Sequence, residues 1–109
     1  MRTVNFIVNK QTLSLDPACD VSDLVPGTKG YLLAKFSFSS EWNGCVKVAA
    51  FFSNLGKEYE PQILANGTTC VIPSEALAKS IFKVQVVGRK DDYDISTNKV
   101  TVHQRGGKV

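Results

Sequence analysis

The chain has 109 residues, of which 43% are hydrophobic and 21% are charged, and its formal net charge is +3. A chain of this length forms one domain with its own core, and the composition is typical of a globular protein and not of a disordered one. The thirteen lysine and arginine residues are scattered along the chain instead of forming a basic stripe, so charge does not indicate nucleic-acid binding.

The N-terminal segment alternates apolar and polar side chains. Val4, Phe6 and Val8 alternate with the polar residues Thr3, Asn5 and Asn9, and no apolar block typical of a signal peptide follows the first residues. This pattern is typical of a half-buried strand, whereas a signal peptide or a membrane span needs an unbroken apolar run. We expect a first strand here, no signal peptide and no membrane contact. Residues 16–28 contain two prolines and few apolar side chains, which predicts a long loop or an irregular edge.

Alternation with a period of two recurs in four later segments. Because successive side chains of a strand point to opposite faces, each segment predicts a strand with one buried face. The apolar sets that we assign to buried faces are Leu32, Ala34, Phe36 and Phe38; Val46, Val48, Ala50 and Phe52; Phe82, Val84 and Val86; and Val100 and Val102.

The stretch between the second and third of these four segments contains turn and helix signals. Asn66-Gly67 separates residues 60–64 from residues 68–72, and this dipeptide favours a type I′ hairpin turn, in which both central residues need a positive φ. Pro61 cannot donate a ladder hydrogen bond, so its strand is predicted at a sheet edge or at a bulge. Residues 73–79 predict one or two helical turns, with Ser74 as the cap and Lys79 near the end.

About seven short strands joined by tight turns indicate an all-β protein. We predict a single domain over residues 1–109, folded as a small antiparallel β-sandwich with one short helical turn, and a small β-barrel is the alternative.

The cysteine and histidine content argues against a zinc site. Cys19, Cys45 and Cys70 are widely spaced, and His103 is the one histidine of the chain. Cys45 and Cys70 adjoin apolar strand residues, which favours buried free thiols, with one disulfide as the alternative. His103 falls on the polar side of the last strand, where a solvent-exposed role is favoured over catalysis.

Two groups of acidic residues are candidates for catalytic or metal sites. Glu58 and Glu60 share one strand face, as glycosidase carboxylates do, but charges on an edge strand also prevent unwanted sheet pairing. Asp91, Asp92 and Asp94 lack the glycine and the terminal glutamate of a calcium loop. We therefore expect no enzyme activity and no catalytic, cofactor-binding or metal-binding residues.

Five short motifs in fixed order lie between Tyr31 and Gln104. They are F-x-F-x-x-x-W-x-G (Phe36 to Gly44), K-x-A-x-F (Lys47 to Phe51), C-x-[IV]-P-x-E-x-[IL] (Cys70 to Leu77), F-x-V-x-[VL]-x-G (Phe82 to Gly88) and T-N-x-V-x-V (Thr97 to Val102). Together they resemble small structural β-domain proteins of tailed phages that infect Gram-positive bacteria, associated with tails, baseplates or head fibres. The resemblance implies a virion component without catalytic residues.

The resemblance and the lack of catalytic groups lead to three hypotheses. The first is a non-enzymatic phage virion accessory domain that docks on, or oligomerises within, a larger assembly. The alternatives are a small phage-encoded inhibitor of a host defence enzyme, such as an anti-CRISPR protein, and a carbohydrate-binding module. The expected shortage of exposed aromatic residues weakens the carbohydrate-binding hypothesis.

These hypotheses predict where the protein acts and what it binds. We expect it in the virion or the host cytoplasm, and we expect a protein partner: a virion component, a second copy or a host defence protein. A small-molecule ligand is not expected. Residues 2–8 and 100–103 are predicted as open sheet edges, and one of these edges is expected to pair with this partner.

Overall fold

A computed structural model describes residues 2–104. Within this range the chain forms nine strands and two single-turn helices. They are β1 (Arg2–Asn9), β2 (Thr12–Leu15), β3 (Leu32–Phe38), a 3-10 helix (Ser40–Trp42), β4 (Val46–Ser53), β5 (Gln62–Ile63), β6 (Thr69–Val71), α1 (Ser74–Leu77), β7 (Ile81–Lys90), β8 (Tyr93–Ser96) and β9 (Val100–His103). The strands form two sheets that share one apolar core, which confirms the predicted small all-β sandwich.

The first sheet has the strand order β2-β1-β3-β6. Its central pair is parallel, with Arg2 opposite Leu32 and Val8 opposite Phe38, so the prediction of a purely antiparallel fold is wrong for this pair. The irregular segment after β2 carries the chain from one side of β1 to the other, which lets β3 run in the same direction as β1. β1 pairs with β3 along its length and with β2 from Phe6 to Asn9, and the Asn5 carbonyl accepts the Asp16 amide, so the open edge predicted at residues 2–8 is wrong for residues 5–8.

The second sheet has the order β5-β4-β7-β8, and β9 also pairs with β7. β8 and β9 follow one another along the same side of β7. Val87 lies opposite Ser96 and Val84 lies opposite Val100, so three steps along β7 correspond to four steps along its partner. This extra residue is a β-bulge.

The core-facing side of β4 is the opposite of the predicted one. Ala49 and Phe51 are fully buried in the core between the sheets, whereas Val46 and Val48 lie on the outer face of the second sheet. The prediction failed because the outward set of β4 is entirely apolar, whereas the core-facing set has Lys47 and Ser53 at its ends. Phe52, also on the outer face, is covered by Lys99, whose Nζ lies 4.0 Å from the ring centroid.

The Asn66-Gly67 turn is present, but it does not join two paired strands. Both residues have a positive φ, 54° for Asn66 and 73° for Gly67, as the sequence predicted. β5 and β6 nevertheless belong to different sheets, and Ala65 and Thr69 form only an isolated bridge beside the turn. The hairpin prediction is therefore wrong, whereas the edge position predicted from Pro61 is confirmed by β5.

The short helix lies at one end of the core. α1 is the predicted single turn, but it ends at Leu77 rather than near Lys79, and its N-cap is Pro73 rather than Ser74, with no side-chain capping bond. The Pro73 carbonyl accepts hydrogen bonds from the amides of Ala76 and Leu77, which start the turn. The side chains of Ala76 and Leu77 are buried. The helix thus contributes two apolar side chains that close this end of the sandwich.

Asn98 joins the two sheets at the bulge. The Leu13 amide donates to Asn98 Oδ1 at 2.7 Å, and Asn98 Nδ2 donates to the Leu13 carbonyl at 3.2 Å. The side-chain amide thus takes the place of a neighbouring strand along β2. Thr97 next to it accepts the Val86 amide on Oγ1, so the Thr-Asn motif holds β7 and β2 together.

Candidate protein-binding surface

The acidic residues considered as catalytic candidates are dispersed and exposed. Glu58 and Glu60 lie in the segment before β5 and are open to solvent. Asp91 and Asp92 form the turn between β7 and β8, and the neighbouring Asp94 pairs with Arg89. Across residues 2–104 no group of three or more histidine, cysteine, aspartate and glutamate side chains has the arrangement to hold a metal ion.

The three cysteines are free thiols. Cys45 and Cys70 are buried, and Cys19 is half-buried, where its Sγ accepts a long bond of 3.5 Å from the Asn5 amide. Burial raises the pKa of Cys70 to about 12, so this thiol stays protonated at neutral pH. A protonated, buried thiol packs in the core and is not a nucleophile.

Trp42, the most distinctive residue of the sequence motifs, packs in the core. Trp42 is completely buried, and its Nε1 donates to the Lys10 carbonyl at 2.8 Å. The ring lies 5.1 Å from that of Phe38 and covers Gly88 of β7, closing the end of the sandwich opposite to α1. Trp42 therefore stabilises the fold and is not available to a partner.

Exposed aromatic side chains do not form a platform for stacking. Among the described residues, the large exposed aromatics are Tyr31, which precedes β3, and Tyr93 of β8, which belong to different sheets. The Tyr93 hydroxyl donates to the Glu41 carbonyl at 2.6 Å, which ties its ring to the 3-10 helix after β3. This arrangement offers no pair of adjacent rings for a sugar.

Parts of two strand edges in the described part of the chain are already occupied. Asn98 covers Leu13 of β2, and the backbone of Thr69 in β6 exchanges hydrogen bonds with Ala65. β9 has no such cover within that part of the chain. The Gln104 amide donates to the Ser80 carbonyl at 2.7 Å, which shows that Gln104 directs its backbone groups towards β7. Because successive residues of a strand direct their backbone groups to opposite sides, those of Thr101 and His103 point away from β7.

The edge of β9 therefore presents four backbone groups to solvent. Within residues 2–104, no backbone or side-chain hydrogen bond engages the N–H or C=O groups of Thr101 and His103, and both side chains are exposed. The sequence located this edge correctly at residues 100–103. His103 lies on it as an exposed edge residue.

An apolar groove of about 530 Å³ lies on the outer face of the second sheet. Its floor contains Val48 and Val87, which lie opposite one another on β4 and β7, and Val46 borders it with 62% of its surface exposed. Ile63 of β5 lies beside the groove, directly across from Val48, and is 72% exposed. Sequence reasoning missed this surface because it assigned Val46 and Val48 to the core.

An ion pair forms the other border of the groove. Arg89 Nε donates to Asp94 Oδ1 at 2.8 Å across the β7–β8 pair. This hydrogen bond lowers the pKa of the Asp94 carboxyl and raises that of the Arg89 guanidinium, so both groups are charged at neutral pH. The pair leaves the groove without net charge.

No helix in the described range is long and apolar enough to cross a bilayer. Comparison of the chain with protein-family models, with curated proteins and with solved structures found no match.

Proposed function

We propose that this protein is a non-enzymatic accessory domain of a phage virion, which docks on a protein partner through the open edge of β9. The observation that carries this proposal is the row of free backbone groups at Thr101 and His103, whereas the outward backbone groups of Leu13 in β2 and Thr69 in β6 are already bonded. The order of the sequence motifs, which resembles that of phage structural proteins, supports the virion as the place where this edge is used.

A strand of the partner can extend the second sheet at this edge. Main-chain hydrogen bonds supply the attraction in strand addition, and alternate side chains supply the specificity. Thr101 and His103 both turn their side chains to the outer face, where Thr101 lies opposite Lys83. The side chains of a partner strand would therefore contact a polar and partly cationic edge formed by Thr101, His103 and Lys83.

Replacing Thr101 with proline tests this docking mode. Proline removes the N–H group that points away from β7, and edge strands tolerate proline because that group makes no ladder bond. We expect the Thr101→Pro variant to fold but to be depleted about tenfold or more from phage particles, which corresponds to about 1.4 kcal/mol of lost binding. Mass spectrometry of gradient-purified particles, made in a host that supplies each variant, measures this depletion.

Thr101→Val is the matched control, since valine keeps the backbone N–H and the branched shape. It should enter particles at the wild-type level. Equal incorporation of the proline and valine variants would refute docking through β9. Absence of the wild-type chain from particles would overturn the virion role itself.

A further inference from the structure

We infer that the outer face of the second sheet binds a second copy of this chain in a symmetric dimer. The surface consists of the apolar groove, the exposed Ile63 beside it and the Arg89–Asp94 pair at its border. Exposed apolar side chains grouped on one face are typical of protein interfaces.

The surface carries both a projecting apolar side chain and a recess. Ile63 extends from β5 with most of its side chain in solvent, and the groove next to it is lined by Val46, Val48 and Val87. A twofold axis brings each patch against its own copy, so that a contact from one residue to another is repeated in reverse. Ile63 of each copy then fills the groove of the other.

The charges of the surface are complementary to themselves. The groove carries one cation and one anion, Arg89 and Asp94, with 77% and 58% of their side chains exposed. A symmetric contact allows each to meet the opposite charge of the other copy, whereas a patch of one sign would repel itself. A second copy therefore satisfies both the apolar and the charged part of the face.

This dimer would leave the docking edge free. The groove lies along residues 87–89 of β7, whereas β9 pairs with residues 81–84 at the other end of that strand. The dimer itself does not depend on the proposed virion role; only its biological purpose rests on that role. A dimer would present two β9 edges to the virion, and two linked sites bind more tightly than one.

Sedimentation velocity over a wide concentration range tests the dimer. The wild-type chain should sediment as a dimer at high concentration, and Ile63→Asp should raise the dimer dissociation constant about tenfold or more. Leu55→Asp is the control, because Leu55 is 95% exposed in the turn after β4 and lies outside the groove. It should leave the dissociation constant unchanged.

A charge exchange tests the proposed contacts independently. Arg89→Asp and Asp94→Arg should each weaken the dimer, and the double variant should restore it, because the opposite charges meet again. A wild-type chain that stays monomeric at every concentration would overturn the inference, as would an Ile63→Asp variant that dimerises like the wild type. Thr101→Pro should remain dimeric while it is depleted from particles, so failure of the dimer and failure of edge docking give different results.

Discussion

Replacing Trp42 with alanine is expected to lower the free energy of unfolding by about 3 to 5 kcal/mol, the range for a large buried aromatic side chain. The ring is fully buried at one end of the sandwich, and its Nε1 donates to the Lys10 carbonyl. Alanine would leave a cavity between Phe38 and Gly88 and an unsatisfied carbonyl. Urea unfolding followed by far-ultraviolet circular dichroism measures the change.

Trp42→Phe separates the contribution of the ring from that of the hydrogen bond. It keeps an aromatic ring in the site but loses the bond to Lys10, so we expect a smaller loss than for alanine, of about 1 to 3 kcal/mol. A loss below about 1 kcal/mol for Trp42→Ala would contradict the account, since a buried aromatic side chain costs more than that to remove.

The second large effect is expected for Gly88→Ala. A Cβ atom at this position would lie 2.7 and 2.8 Å from two carbon atoms of the Trp42 ring, and 3.2 Å from the Ile95 side chain. Such overpacking costs about 1 to 3 kcal/mol, because the ring or β7 must shift. The same unfolding measurement tests this, and the position explains why the F-x-V-x-[VL]-x-G motif ends in glycine.

A double-mutant cycle is the control for Gly88→Ala. In the Trp42→Ala background the clashing ring is absent, so the added methyl group should cost less than about 0.5 kcal/mol. An equal cost in both backgrounds would show that the effect arises from something other than contact with Trp42.

The strands with one apolar face could be predicted from the sequence, and β4 shows where this reasoning fails. In β1, β3 and β7 polar residues mark the solvent side, so alternation identifies the buried face. In β4 the outward set is entirely apolar and the core-facing set has Lys47 and Ser53 at its ends, so alternation indicates the wrong face, and the choice depends on what packs against each. The K-x-A-x-F motif contains Ala49 and Phe51, the two residues that face the core, and its spacing was the available signal.

The order of the strands in the sheets was harder to predict from the sequence than their positions along the chain. The parallel pairing of β1 and β3 depends on the path of the irregular segment after β2, and local patterns do not contain that path. β2 itself was missed, although Leu13 and Leu15 alternate with polar residues there. Of the candidate binding surface, the edge of β9 was predicted, whereas the groove was not, because exposure of Ile63 and Val46 depends on which strands cover them.

Hydrogen exchange of residues 99–104 in the free protein and in the assembled particle tests docking through β9 most directly. In the free protein the amides of Thr101 and His103 face solvent and should exchange rapidly, while those of Val102 and Gln104 are protected by β7. The account predicts that Thr101 and His103 become protected by about a hundredfold or more in the particle, equivalent to about 2.7 kcal/mol. Unchanged exchange at these two amides in particles that contain the protein would contradict it.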